Sequence, residues 1–193
     1  MILRLAALCA ITLLSACATA PSAPSVQLPG REQIQDFALE SRFALNIRIP
    51  DEKPQNGSGR LSWQYQGGNN QLFIANPLGF AIAEIETTPQ RSFLRMADGK
   101  TRESNDPDLL IEEVTGQRLP VSSLAKWLLG RANLTAEIDH DPLNRPIRLR
   151  ESGWQVDYIY EDPTPSALPS QLTLSRGTEI ELRLRIEEWK ETP

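Results

Sequence analysis

The chain has 193 residues, 40% of them hydrophobic and 23% charged, with 15 prolines, 11 glycines and a formal net charge of −5. This is the composition of an ordinary globular domain, and it excludes a disordered chain, a multi-pass membrane protein and a collagen-like repeat. A pI near 5.0 speaks against nucleic-acid binding, which needs a basic face to neutralise phosphates, and one histidine with two cysteines supplies too few soft ligands for a zinc site.

Residues 1–4 carry one positive charge, residues 5–14 form an apolar run of about ten, and Ser15, Ala16 and Cys17 follow. Ten residues cannot cross a hydrocarbon layer that needs about twenty, so residues 1–16 read as a signal peptide rather than a spanning helix. Leu14-Ser15-Ala16-Cys17 resembles the lipobox of bacterial lipoproteins, which makes Cys17 the acylated N-terminus; the alternative is an ordinary secretory signal cut at a nearby small residue. Ala18 stands where proteobacterial lipoproteins retained in the inner membrane carry aspartate, which by that resemblance points to the outer membrane. Residues 18–30 contain proline, alanine and serine but no charge, and with Cys17 they form a tether reaching about 40 Å at roughly 3.1 Å per residue.

A single domain is expected over residues 31–193. Ile34, Phe37 and Ala38, spaced i, i+3 and i+4, predict a short amphipathic helix over 31–40. Strands follow. Phe43, Leu45, Ile47 and Ile49 alternate with Ala44, Asn46 and Arg48, and Leu61, Trp63 and Tyr65 alternate with Arg60, Ser62 and Gln64. This period of two, with one polar face, predicts an antiparallel sheet that is apolar on one side. Gly57-Ser58-Gly59 reads as a bulge or turn ahead of the second strand. Further strands are predicted near 71–76, 80–87, 91–96, 134–139, 147–150, 154–160, 171–175 and 179–188, with turns at Gly67-Gly68-Asn69-Asn70, Asp98-Gly99 and Gly177.

Two helices interrupt the strands. Asp106 caps the first, Pro107 opens it, Leu110, Ile111 and Val114 form its stripe, and Gly116 closes it. Pro120 opens the second, which carries Val121, Leu124 and Leu128 on one face with Trp127 beside them and ends at Gly130.

No nucleophile elbow and no phosphate-binding glycine loop is present. Asp139-His140-Asp141 places carboxylates beside an imidazole, but it precedes Pro142 and Asn144, and neighbouring strand residues face opposite ways, so it reads as a turn. Glu112-Glu113 and Glu187-Glu188 read as solvated faces. The expectation is a protein that is not an enzyme and uses neither cofactor nor metal. An apolar sheet face with amphipathic helices to cover it suits a concave binding pocket; periodicity leaves a plain filled core equally open.

At Ala75-Asn76-Pro77-Leu78-Gly79-Phe80 a large apolar residue sits at the tip of a turn. This stretch resembles the Asn-Pro-Leu-Gly loop of the LolB family, outer-membrane lipoproteins that receive other lipoproteins and insert them into the membrane. The likeness runs roughly over 37–189: Gly59 to Trp63 is similar to the family's tryptophan-bearing second strand, and Thr115-Gly116 with Leu119-Pro120-Val121 to its inter-helix segment. LAKWLLG at 124–130 resembles its second helix, GWQVDY at 153–158 the following tryptophan strand, and Leu168-Pro169 with residues 182–189 its ending. Phe80 and the turn from Asp139 to Pro146 depart from the pattern.

The resemblance implies a mainly β, α+β fold: an unclosed antiparallel β-barrel whose helices cover a concave apolar face. It implies an outer-membrane, periplasm-facing monomer anchored at Cys17, with a LolA-like soluble periplasmic carrier, lipoprotein acyl chains and outer-membrane phospholipid as partners. Pro77, Leu78 and Gly79 would form the membrane-insertion loop. Phe43, Leu45, Ile47, Leu61, Trp63, Ile85, Val121, Leu124, Trp127, Leu128, Trp154, Val156, Tyr158, Leu182 and Leu184 are the candidates for lining an acyl-chain cavity. A lipoprotein that binds a free lipid or envelope component without transfer, or a structural lipoprotein, are the competing readings.

Overall fold

The computed structural model describes residues 33–190; the signal peptide, Cys17 and the tether lie outside them. Eleven strands form one antiparallel sheet: β1 Phe37–Ile47, β2 Gln55–Gln66, β3 Asn69–Ala75, β4 Ala81–Thr87, β5 Ser92–Met96, β6 Thr101–Ser104, β7 Glu137–His140, β8 Pro146–Glu151, β9 Trp154–Ile159, β10 Gln171–Arg176 and β11 Ile180–Lys190. Their order is β6-β5-β4-β3-β2-β1-β11-β10-β9-β8-β7, so β6 and β7 are edges and the barrel is unclosed. Between those two edges in sequence come α1 Pro107–Thr115 and α2 Val121–Leu128. The chain therefore travels from one rim of the sheet to the other through the helix pair.

Hydrophobic burial explains why the helices cover one face of the sheet. Leu45, Ile47, Leu61, Leu72, Leu94, Leu149, Val156, Leu174 and Leu184 are buried on the same side as Leu110 and Ile111 of α1 and Leu124, Trp127 and Leu128 of α2, in one continuous core. α1 begins where the Asp106 carboxylate accepts from the Asp108 amide at 3.0 Å, and it ends at Gly116, whose φ of 70° lets its N–H reach Glu112 O at 2.7 Å. Pro120 offers no side-chain cap to α2. Asp108 supplies one instead, accepting from Ser122 N at 3.0 Å and Ser122 Oγ at 3.1 Å and so tying the two helices together.

Two readings change, and one strand is added. Among the described residues of 31–40 no helix forms; Phe37 starts β1, with Phe37, Leu39 and Ser41 buried alternately. Its i, i+3, i+4 spacing was ambiguous, and pairing with β2 on one side and β11 on the other overrides it. β6, with sequence TRES, has no apolar alternation to betray it and is held at the edge by its ladder with β5. Gly57-Ser58-Gly59 is neither bulge nor turn but lies inside β2, in regular register with Leu45, Ala44 and Phe43.

Gly59 has a steric role. A Cβ there would stand 2.1 Å from Ala75 O and 2.8 Å from a ring carbon of Phe43. Gly59→Ala is expected to cost at least ~2 kcal/mol by overpacking, which lowers the melting temperature by on the order of 5 °C; calorimetry checks it. Gly57→Ala, where nothing lies within 4 Å of the added atom, is the matched substitution expected to leave the melting temperature nearly unchanged.

Candidate functional site

Beneath the helix pair lies an apolar cavity of ≈ 290 Å³. Phe43, Leu45, Ile47, Leu61, Leu72, Ile74, Leu174, Leu182 and Leu184 line it from the sheet, Trp154 from β9, and Ile111, Val114, Leu119, Val121 and Leu124 from the helices and their link. Register places these residues together: Leu45 is opposite Leu182, which is opposite Leu174, and Phe43 is opposite Leu184. Its polar lining, Gln55, Asn56, Ser58 and Thr115, is exposed or half-buried. These residues mark a mouth between the start of β2 and the C-terminal end of α1.

Among the residues expected to line a cavity, the structure brings together Phe43, Leu45, Ile47, Leu61, Val121, Leu124, Trp154, Leu182 and Leu184. It does not bring Trp63, Ile85, Trp127, Leu128, Val156 or Tyr158 to it; these are buried in the core away from this lining. Trp63 meets Phe37 edge-on at 5.5 Å, and Phe37 also stacks on Tyr65 at 5.4 Å and meets Trp189 edge-on at 5.8 Å. Trp127 donates its indole N–H to the buried Glu151 at 2.6 Å, and the Tyr158 hydroxyl donates to Trp127 O at 2.7 Å. These bonds hold the C-terminal half of α2 down on the sheet, so only its N-terminal half roofs a space. Leu72, Ile74, Leu174, Ile111, Val114 and Leu119 were missed as lining residues. Alternation marks the strand residues as inward-facing, but their position relative to the helix pair is not periodic information.

The loop between β3 and β4 stands at the same end as the mouth. Arg60 pairs with Ala75 as the last step of the β2–β3 ladder, and Ile82, just after the loop, lines the cavity. Asn76 organises the loop: its N–H reaches Phe80 O at 2.9 Å, its C=O accepts from Gly79 N at 2.9 Å, and its Oδ1 accepts from Leu78 N at 2.9 Å and Phe80 N at 3.1 Å. Gly79 turns the chain at φ 91°. Neither the Leu78 nor the Phe80 side chain takes part in these bonds, and they are 82% and 68% exposed. Phe80 is the second large apolar group of the loop, and sequence reasoning noticed it only as a departure from the family pattern.

The acidic clusters make no acid–base pair. Asp139 holds Arg150 at 3.3 Å, His140 is exposed, and Asp141 holds Arg145 at 2.7 Å. Burial alone would raise the Asp141 carboxyl, but hydrogen bonds from the Arg145 amide and guanidinium and the Leu143 amide, with the charge of Arg145, hold it below the ordinary carboxylate range. Glu113 pairs with Arg102 at 3.3 Å, Glu187 with Arg42 at 2.6 Å and Glu188 with Lys190 at 4.0 Å, while Glu112 is exposed. Among the described residues no helix is long and apolar enough to cross a membrane.

The site is therefore a covered hydrocarbon-like hollow with a bare apolar loop at its mouth. The family described as "Outer membrane lipoprotein LolB" matches residues 35–189. This chain belongs to the LolB family. An outer-membrane lipoprotein LolB from Dechloromonas aromatica is 56% identical over 191 residues, covering 99% of each chain. One from Bordetella petrii is 35% identical over 94% of this chain and 89% of its own. A crystal structure of a LolA superfamily protein from Nitrosomonas europaea aligns with a TM-score of 0.50 at 12% identity, over 85% of this chain and 91% of that one. At that identity the likeness is one of fold alone. LolB membership places the chain among outer-membrane lipoproteins and not among enzymes.

Proposed function

We propose that this LolB family member is anchored to the outer membrane through Cys17, takes lipoproteins from a LolA-like soluble carrier into its cavity, and inserts them into the outer membrane with no nucleotide. The observation that carries this reading is the apolar cavity opening beside an exposed apolar loop. Each acyl chain costs on the order of 10 kcal/mol to expose to water, and three cost about 30, so cargo must remain shielded between carrier and bilayer. Transfer then runs downhill in affinity from carrier to receptor to membrane, and about 1.4 kcal/mol per step already gives a tenfold bias.

At ≈ 290 Å³ the cavity is at the lower end of the ~300–1,000 Å³ typical of ligand pockets, smaller than the bulk of three acyl chains together. Cargo entry therefore requires the N-terminal half of α2, and α1 tied to it through Asp108, to lift from the sheet. The C-terminal half, pinned at Trp127, serves as the fixed end. Leu78 then biases the mouth toward lipid, since burying a leucine is worth about 2 kcal/mol.

The deciding experiment mixes purified protein with cargo-loaded carrier and no nucleotide. One-way transfer is expected; retention of cargo by the carrier refutes the reading. Cys17→Ala is expected to yield a soluble protein that accepts cargo as fast as the parent, measured by co-purification from the carrier. Failure of that variant to bind cargo would mean the anchor and the cavity do not work separately.

A further inference from the structure

On the outer face of the sheet Arg42 of β1 lies directly opposite Arg60 of β2 on one side and Arg185 of β11 on the other. Like charges in direct cross-strand register repel; elsewhere on the sheet Arg95 is paired across strands with Glu84 and Arg148 with Asp157, and where Glu40 faces Glu188, Lys190 bridges the two. In the arginine row only Arg42 has an ion pair among the described residues, to Glu187 at 2.6 Å, and its side chain is still 62% exposed. The other carboxylate nearby, Glu40, is occupied by Ser62 and Lys190.

The row adjoins the exposed loop. Arg42 and Arg60 line a depression of ≈ 210 Å³ with Phe43, Ser58, Gly59 and Pro77. Pro77 is the residue before Leu78, so the depression and the bare tip are neighbours at one end of the sheet. Arginine forks match the oxygens of a phosphate, and apolar groups of an interfacial element sit just below the headgroup layer. A chain of net charge −5 also approaches an anionic surface best through a local positive patch.

We propose that Arg42 and Arg60 bind the phosphate of a membrane phospholipid headgroup while Leu78 and Phe80 enter the acyl layer beside it. This deepens, and rests on, the reading of Leu78 as the membrane-facing tip. Together the two contacts orient the mouth toward the bilayer, which a flexible tether cannot do.

The test uses the full chain carrying Cys17→Ala, so that the lipid anchor does not mask the contact, and measures its partition onto phosphatidylethanolamine/phosphatidylglycerol vesicles. Arg60→Gln, which removes no ion pair, is expected to weaken partition several-fold, and Arg42→Gln/Arg60→Gln about tenfold with a flatter salt dependence. Arg148→Gln/Arg150→Gln, taking the same charge from β8, is expected to change nothing. Unaltered partition of the arginine variants, an equal loss in the β8 pair, or equal wild-type partition onto phosphate-free glycolipid vesicles would each overturn the proposal. So would displacement by inorganic phosphate at constant ionic strength, which would mark a site for soluble phosphate. Leu78→Glu on the same vesicles separates the two readings. If it loses binding while the arginine variants do not, the tip stands and the headgroup site falls; if it binds as wild type, the tip reading falls and the joint site with it.

Discussion

Leu78→Glu is expected to leave folding and cargo uptake intact and to slow insertion of cargo into vesicles by at least about tenfold. The leucine contributes about 2 kcal/mol when it leaves water, equivalent to roughly thirtyfold in an equilibrium, and a carboxylate in its place adds a desolvation cost. Folding is spared because the side chain is 82% exposed and Asn76 holds the loop through backbone groups. Leu134→Glu is the control. Leu134 is equally bare, but it precedes β7 at an edge of the sheet and lines no part of the cavity. Insertion assayed by protease-protected or carbonate-resistant cargo reads the result; wild-type rates for Leu78→Glu would remove the loop from the mechanism.

Val114→Trp is expected to abolish most cargo acceptance while leaving the melting temperature within a few degrees. Val114 is half-buried on α1 and looks into the cavity near its mouth. An indole there fills space that hydrocarbon needs, without the overpacking that a fully enclosed site would impose. Leu109→Trp, on the exposed side of the same helix, is expected to accept cargo normally. Transfer from loaded carrier measures both. Equal acceptance by the two variants would mean that acyl chains are held somewhere other than under the helix pair.

These two substitutions differ in how far the sequence alone could have suggested them. Pattern alone left Leu78, at the tip of a turn between Pro77 and Gly79, open to folding back into the core, and the resemblance to the LolB loop is what singled it out. Val114 was visible only as part of a helix stripe, indistinguishable there from Leu110, which the fold buries completely in solid core. The same limit explains Trp127 and Tyr158. Both are apolar and inward-facing, yet a hydrogen bond between them, with Glu151 beyond, fastens them away from the cavity lining.

Local chemistry was enough for most of the antiparallel strands, the caps at Asp106 and Gly116 and the turns at 67–70, 98–99 and 177, because each depends on residues a few positions apart. Beyond local reach were the first part of β1 before Phe43, the edge strand at 101–104, and the closeness of β2 to β3 that leaves no room for a side chain at Gly59. Each follows from pairing between distant segments. The hollow itself belongs to that second group: whether an apolar face is filled or left open depends on where the helix pair is pinned, and that is set by contacts such as Trp127 to Glu151 across the barrel. The row formed by Arg60, Arg42 and Arg185 likewise exists only once β2, β1 and β11 lie side by side.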